Sequence, residues 1–246
     1  MMKKHLEYIK KIESIIEKIS VDGMGSIEQA ASLMAETLMK KKRIYLFGTG
    51  HSHMLAEELF YRAGGLVEIH PVLIDELMLH VSASGSTEAE REEGLAEKIF
   101  TDYLMSEGDT IFIISNSGRN GVVIDMALLC REKGMNVIAL TNIEHTMSGA
   151  SRHHCGKRLC EIAHIVLDNG GCVGDACIEV EGVVGKICPT STVCGAMILN
   201  SVVARAVEIC AENGYYPDHF ASANIDNGDE INAAFIEKYQ KEVKHL

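Results

Sequence analysis

No secretion leader is expected: Met1-Met2-Lys3-Lys4-His5-Leu6-Glu7 leads into a charged helical pattern instead of an apolar core. It has no run approaching the roughly 20 apolar residues that a membrane span requires. None of its eight cysteines, at 130, 155, 160, 172, 177, 188, 194 and 210, forms a CxxC pair. Without an export signal they read as free thiols and not as a disulfide framework, which places the protein in the cytosol. Cys155 and Cys160 lie near His153 and His154, but their spacing suits incidental thiols better than a zinc site. No metal and no cofactor is therefore expected. Basic residues are few, 23 against 35 acidic ones, for a net charge of −12. With only the short run Lys40–Lys42, the chain is not a nucleic-acid binder. An anionic ligand must then be held by local dipoles, since the global field repels it. Three prolines, no repeat and no low-complexity run leave no linker. The 246 residues read as one domain: a helical pair over 1–42, an α/β core over 43–212 and a C-terminal tail over 213–246.

What is present is an alternation of short apolar runs and amphipathic stretches. Leu6, Ile9, Ile12, Ile16 and Ile19 recur at helical spacing, as do Ile27, Ala31, Met34 and Leu38. Asp22-Gly23-Met24-Gly25-Ser26 joins the two helices, with Ser26 placed to cap the second. This pair needs a surface to cover, on the sheet or on a second copy of the chain. Strands are expected at Arg43–Phe47, Leu66–His70, Thr110–Ile114, Asn136–Leu140 and His164–Leu167. Helices are expected at Met54–Ala63, Val122–Lys133 and Thr190–Ala211, the last buried on more than one side. Such β-α-β units imply a mostly parallel sheet with helices on both faces. Two segments lack periodicity. In Leu73–Leu95 a Ser/Gly-rich loop precedes a glutamate-rich helix start, and Ala221–Asn232 is polar. Irregular segments of this kind are often functional.

Two strand-to-helix loops carry the chemistry. In Phe47-Gly48-Thr49-Gly50-His51-Ser52-His53, the glycines allow close backbone approach and the helix start favours an anion. In Ile114-Ser115-Asn116-Ser117-Gly118-Arg119-Asn120, the serines and Asn120 offer further donors. Ligands of parallel α/β sheets bind beyond the carboxyl ends of the strands, where these loops lie. Gly48-Thr49-Gly50 followed by Glu68 imitates a dinucleotide fingerprint, but His53 stands where its third glycine belongs. There is no Gly-Lys-Ser/Thr of a phosphate-binding P-loop.

The order Gly48-Thr49-Gly50-His51-Ser52, Ser115-Asn116-Ser117-Gly118, Ala139-Leu140-Thr141-Asn142 and Pro189-Thr190-Ser191-Thr192 resembles the sugar isomerase (SIS) domain over roughly residues 30 to 212. The resemblance implies a flavodoxin-like fold, a usual dimer or higher homo-oligomer, and a sugar phosphate held by serines of both loops. Carried over, Ser52, Ser115, Asn116 and Ser117 would bind the phosphate, with Gly50, His51 and Asn120 beside it. Asn120 replaces the family's hydroxyl residue. The segment Ser151–Leu159, with Asp168-Asn169, Gly174-Asp175-Ala176 and Ser222-Ala223-Asn224, resembles a bacterial group of stand-alone SIS proteins that brings no assigned reaction.

Isomerisation of a sugar needs a base beside the carbonyl and an acid or relay. Glu58 follows the first loop, although the phosphoheptose isomerases carry their glutamate at the position of Arg62. Glu90 is the member of Thr87–Glu93 that would turn inward, and His219 could complete the site if the tail of one subunit reaches the site of another. His51 and His53 flank Ser52 and could contact sugar hydroxyls, bind a metal or cap the helix. The implied function is binding of a phosphosugar by a sugar-phosphate isomerase, or by a related lyase or deaminase. The alternative is a non-catalytic phosphosugar sensor that regulates a protein partner.

Overall fold

A computed structural model describes residues 2–246; Met1 lies outside the described residues. The chain opens with two helices, α1 (Lys4–Asp22) and α2 (Met24–Met39), joined at Gly23 and followed by strand β1 (Ile44–Gly48). Ser26 does not cap α2: its hydroxyl donates to the Gly23 carbonyl, and Gly23 itself is the N-cap residue. A 3-10 turn at Gly50–His53 leads into α3 (Met54–Leu59) and then β2 (Ile69–Val72). Next come α4 (Ala83–Ala89), α5 (Ala96–Asp102), β3 (Thr110–Ile114) and α6 (Gly121–Glu132). The second half of the sheet is β4 (Asn136–Thr141), α7 (Ile143–Met147), α8 (Leu159–Ile162) and β5 (Ile165–Asp168). A two-stranded hairpin, β6 (Ala176–Glu179) and β7 (Lys186–Pro189), precedes the long α9 (Ser191–Glu212) and the final α10 (Gly228–Tyr239).

The five main strands are parallel in the order β2-β1-β3-β4-β5, the flavodoxin-like arrangement. Period-two alternation splits their side chains between two cores. Ile44, Leu46, Phe112, Ile114, Ile138 and Leu140 face α2, α3 and α9. Tyr45, Phe47, Ile111, Ile113, Val137 and Ala139 face α5, α6 and α8. Because β1 and β3 are neighbours and their onward connections run in opposite directions, the loops after them open a crevice at the switch point.

Several expectations shift. β2 begins at Ile69 and not at Leu66, because Leu66 makes an antiparallel bridge to His219 instead. α3 stops at Leu59, since Phe60 is extended and Tyr61 and Gly64 take positive φ. The Ser/Gly-rich stretch is helix, not loop: the Ser82 hydroxyl accepts from the Gly85 N–H at 3.1 Å, an N-cap that starts α4. The glutamate-rich run therefore follows a helix end instead of opening a helix. The hairpin and α10 had no periodic signal. α9 is long and apolar enough to cross a membrane by length and composition, contrary to the expectation of no such run. It lies against α2 and α3, with Cys194, Ile198, Leu199, Val202 and Ala206 buried. Of the N-terminal pair, α2 is buried along Ala30, Ala31, Met34 and Leu38, whereas α1 buries only Ile15 and Ile19.

Candidate functional site

The crevice at the carboxyl ends of β1, β3 and β4 is a cavity of about 290 Å³. Both predicted loops line it, through Gly50, His51, Ser52, Ser115, Asn116, Ser117 and Asn120. The first loop depends on its glycines. A Cβ on Gly48 would stand 2.6 Å from the backbone of Ser52, and Gly50 takes φ +53°. Ser52 N–H bonds to the Thr49 carbonyl inside the 3-10 turn, which leaves the hydroxyl as the free donor of Ser52. His53 turns inward and bonds the Gly50 carbonyl through Nδ1, which makes it a brace of the loop. His51 stays exposed at the rim.

In the second loop Gly118 takes φ +57°, and its N–H donates to Ser115 Oγ at 3.1 Å. The Ser115 hydroxyl proton is thereby left to donate elsewhere. The side chains of Ser52 and Ser117 have no hydrogen-bond partner among the described residues. Asn116 is held by a chain of amides from the neighbouring strands. Asn169 Nδ2 donates to Asn116 Oδ1 at 2.8 Å, and Asn142 Nδ2 donates to Asn169 Oδ1 at 2.8 Å. This leaves the Asn116 amide group as a donor towards the cavity. Behind it, the first two N–H groups of the α9 start are taken by a carboxylate of the chain itself. Asp175 Oδ1 accepts from the Thr190 and Ser191 N–H groups, both at 2.9 Å, and Oδ2 accepts from the Ser191 hydroxyl at 2.6 Å. The chain's own carboxylate already compensates that helix start.

Glu90 projects into the same cavity from the turn after α4. Thr49 Oγ1 donates to its Oε2 at 2.9 Å and Asn120 Nδ2 to its Oε1 at 2.8 Å. Arg152 Nη1 in turn donates to Asn120 Oδ1 at 3.0 Å. The segment is placed by α6. Val122 N–H donates to the Glu90 carbonyl, and a Cβ on Gly121 would collide with the Glu92 carbonyl oxygen. Burial pushes the Glu90 carboxyl above its ordinary pKa, against the opposing hydrogen bond from Thr49.

The other two predicted acid–base residues stand elsewhere. Glu58 leaves the cavity side of α3: its carboxylate binds the Arg62 guanidinium and accepts from Asn200 Nδ2 at 3.2 Å. Because α3 ends at Leu59, Arg62 lies in the following turn and folds back onto Glu58. His219 is exposed beside Leu66, before the amino end of β2 and so at the opposite end of the sheet from the loops. Seven further polar residues line it to which the sequence assigned no role: Thr49, Thr87, His145, Asn169, Asp175, Ser191 and Thr192. All but His145 fall within the motifs and segments named above. His145 sits in α7, just past the carboxyl end of β4, and that position was its one available signal.

Glu93, His153 and His154 bring an oxygen and two ring nitrogens within 4.8 Å of one another. The donor chemistry does not suit a metal. Buried His153 faces Asp125 Oδ1 at 2.7 Å with Nε2, and its Nδ1 accepts from the Cys155 N–H at 3.1 Å. A ring ligating through Nε2 carries its proton on Nδ1, where that N–H already points. The group latches the turn after α4 to residues 153–155.

The comparisons agree with this geometry. The SIS domain family model matches residues 7–142. UPF0309 protein BH0227 of Halalkalibacterium halodurans is 43% identical over 239 residues, 97% of this chain and 96% of that one. UPF0309 protein Teth39_1980 of Thermoanaerobacter pseudethanolicus is 43% identical over 245 residues, 98% and 99% of the two chains. Among solved structures, a phosphoheptose isomerase from Francisella tularensis has the same fold, with a TM-score of 0.57 at 15% identity. That match covers 85% of this chain and all of the other. Phosphoheptose isomerase GmhA from Neisseria gonorrhoeae matches with a TM-score of 0.51 at 18% identity, over 85% and 97% of the two chains. The chain belongs to the SIS domain family, and within it to the UPF0309 proteins.

Proposed function

We propose that the cavity binds a sugar phosphate and that the protein isomerises it between aldose and ketose forms, with Glu90 as the base. The observation that carries this reading is the position of Glu90. A buried carboxylate, held at both oxygens, lines the same cavity as the unpartnered hydroxyls of Ser52 and Ser117. The phosphate is assigned to Ser52, Ser115, Asn116 and Ser117, because Asp175 already caps the start of α9. No lysine or arginine lines the cavity among the described residues, so neutral donors do the holding.

With the phosphate anchored, the open-chain carbonyl end extends towards Glu90. The carboxylate takes the proton from the carbon next to the carbonyl, giving an enediol. It then returns a proton to the former carbonyl carbon, while the hydroxyl proton moves between the two oxygens. A carboxyl pKa raised by burial makes the carboxylate a stronger base. The family and the two phosphoheptose isomerase folds support this class of substrate.

We also assign the protein to the cytosol, in keeping with eight unpaired cysteines. A homo-oligomer is supported by Leu6 and Ile9, 45% and 50% exposed on α1. The test is thermal melting against hexose, hexosamine and heptose phosphates, followed by product analysis. A shift together with ketose or aldose product is expected. A shift with no turnover would convert the reading to a non-catalytic sensor, and no shift at all would end it.

A further inference from the structure

We infer that His145 is a catalytic residue of this site, donating a hydrogen bond from Nε2 to the oxygen that gains charge as Glu90 removes the proton; the inference rests on the isomerase reading. His145 belongs to neither phosphate loop. It lies in α7, where Asn142 starts the helix by accepting the His145 N–H at 2.6 Å. The same Asn142 holds the amide chain that fixes Asn116. The imidazole is thus anchored to the frame that carries the phosphate loop, while Glu90 enters the cavity from the turn after α4.

The ring has a defined polarity. The Gly174 N–H donates to Nδ1 at 3.3 Å, so in the neutral ring the proton sits on Nε2. Nε2 has no partner among the described residues, and it is not among the buried polar atoms left unpaired. It is therefore accessible, on a residue that lines the cavity. Burial, and then the Arg119 guanidinium, lower the pKa of the ring, with Asp175 pulling the other way. The Gly174 N–H at Nδ1 and this lowering both favour the neutral ring. A neutral imidazole N–H is the better match here: it stabilises the developing enediolate without competing with Glu90 for a proton.

The proton inventory closes. Glu90 accepts one proton from carbon and returns one to the adjacent carbon. His145 keeps its Nε2 proton throughout, or lends it to the oxygen and recovers it when the neighbouring hydroxyl deprotonates. No oxidant, metal or second substrate enters.

The experiment compares wild type with His145→Gln and His145→Asn on whichever panel sugar phosphate the wild type converts. Sorbitol 6-phosphate, which has no carbonyl, serves as the binding probe. The expected result is a loss in kcat of about a hundredfold or more, with KM and sorbitol 6-phosphate affinity changed by less than about threefold. A loss under about tenfold, or one confined to KM, would overturn the role of His145 and leave the isomerase reading intact. A wild type that converts no member of the panel overturns both. Nitrogen-15 NMR of the His145 ring is read independently of turnover. A protonated Nε2 and a bare Nδ1 at pH 7 are expected, and an imidazolium or the opposite tautomer rejects the proposal.

Discussion

Thr49 Oγ1 and Glu90 Oε2 form a 2.9 Å hydrogen bond, and the other oxygen of the same carboxylate is held by Asn120 at 2.8 Å. One side chain from the turn after α4 thus joins the loop after β1 to the loop after β3. Held at both oxygens, the carboxylate is fixed before any ligand arrives, which is what a base acting on carbon requires.

Glu90→Gln tests that function. The amide keeps the size of the side chain and its bond from Thr49, but cannot accept a proton from carbon. Turnover is expected to fall by about 10²–10⁴, while affinity for a sugar phosphate stays within a few-fold. Single-turnover kinetics and calorimetry separate the two quantities. Equal losses in binding and turnover would show that Glu90 only shapes the pocket.

Glu58→Gln is the matching control. Glu58 is tied to Arg62 and Asn200 on the outer side of α3, and an exposed ion pair of this kind contributes under about 1 kcal/mol. Its replacement is expected to leave turnover within about twofold and Tm nearly unchanged. A collapse of kcat would return the base to α3.

The difference between these two glutamates shows how far residue patterns reach. The strands were legible because runs such as Ile111–Ile114 are apolar at every position, as strands buried on both faces are. The phosphate loops were legible because glycine and serine follow such strands directly. The path of a side chain is set by backbone that carries no periodic signal. Glu58 leaves the cavity because Tyr61 and Gly64 take positive φ, end α3 and fold Arg62 back. Glu90 enters it because Gly121 lets the carbonyls of Arg91 and Glu92 lie against α6. Asp175 and His145 come from segments 28 or more residues beyond the second loop's Ser117 in the sequence, and only the order of β3, β4 and β5 brings them to one place.

Ser52 and Ser117 carry hydroxyls with no partner among the described residues, so their removal costs the fold little and the ligand much. Each hydrogen bond to a charged oxygen contributes about 1.5–3 kcal/mol. Ser117→Ala is expected to weaken sugar phosphate binding by about tenfold or more, with Tm within about 1 °C of wild type. Ser115→Ala is expected to lose stability as well, because its oxygen accepts the Gly118 N–H. Titration calorimetry and melting curves give both numbers. Unchanged affinity in Ser117→Ala would remove the second loop from the phosphate site.

Gly121→Ala probes the docking of the Glu90 segment. The new Cβ would stand 2.8 Å from the Arg91 carbonyl oxygen and closer to that of Glu92, both fixed backbone. Relief requires the segment to move, at a cost of about 1–3 kcal/mol in stability. Because Glu90 moves with it, kcat is expected to fall more than the stability loss explains at temperatures where the variant is fully folded. Circular dichroism sets that temperature range, and activity within it reads the displacement. Full activity there would mean that Glu90 keeps its place by its side-chain bonds alone.

His70 supplies the pH dependence. It is buried on β2, its ring centroid 5.1 Å from that of Tyr45. Burial, and then the Arg43 guanidinium, push its pKa down from 6.5 to about 4. The folded protein holds a neutral ring where the unfolded chain would protonate it. This group's stabilisation is therefore fully present above pH 6.5, declines as pH falls from 6.5 towards 4, and levels off below that, for a total of about 3 kcal/mol. His70→Phe keeps an apolar ring against Tyr45 and removes the titration. Urea unfolding at pH 7 and pH 4.5 is expected to show wild type losing more stability than the variant by about 2–3 kcal/mol. Parallel losses in the two proteins would mean that the His70 ring is already charged, or hydrated, in the folded state.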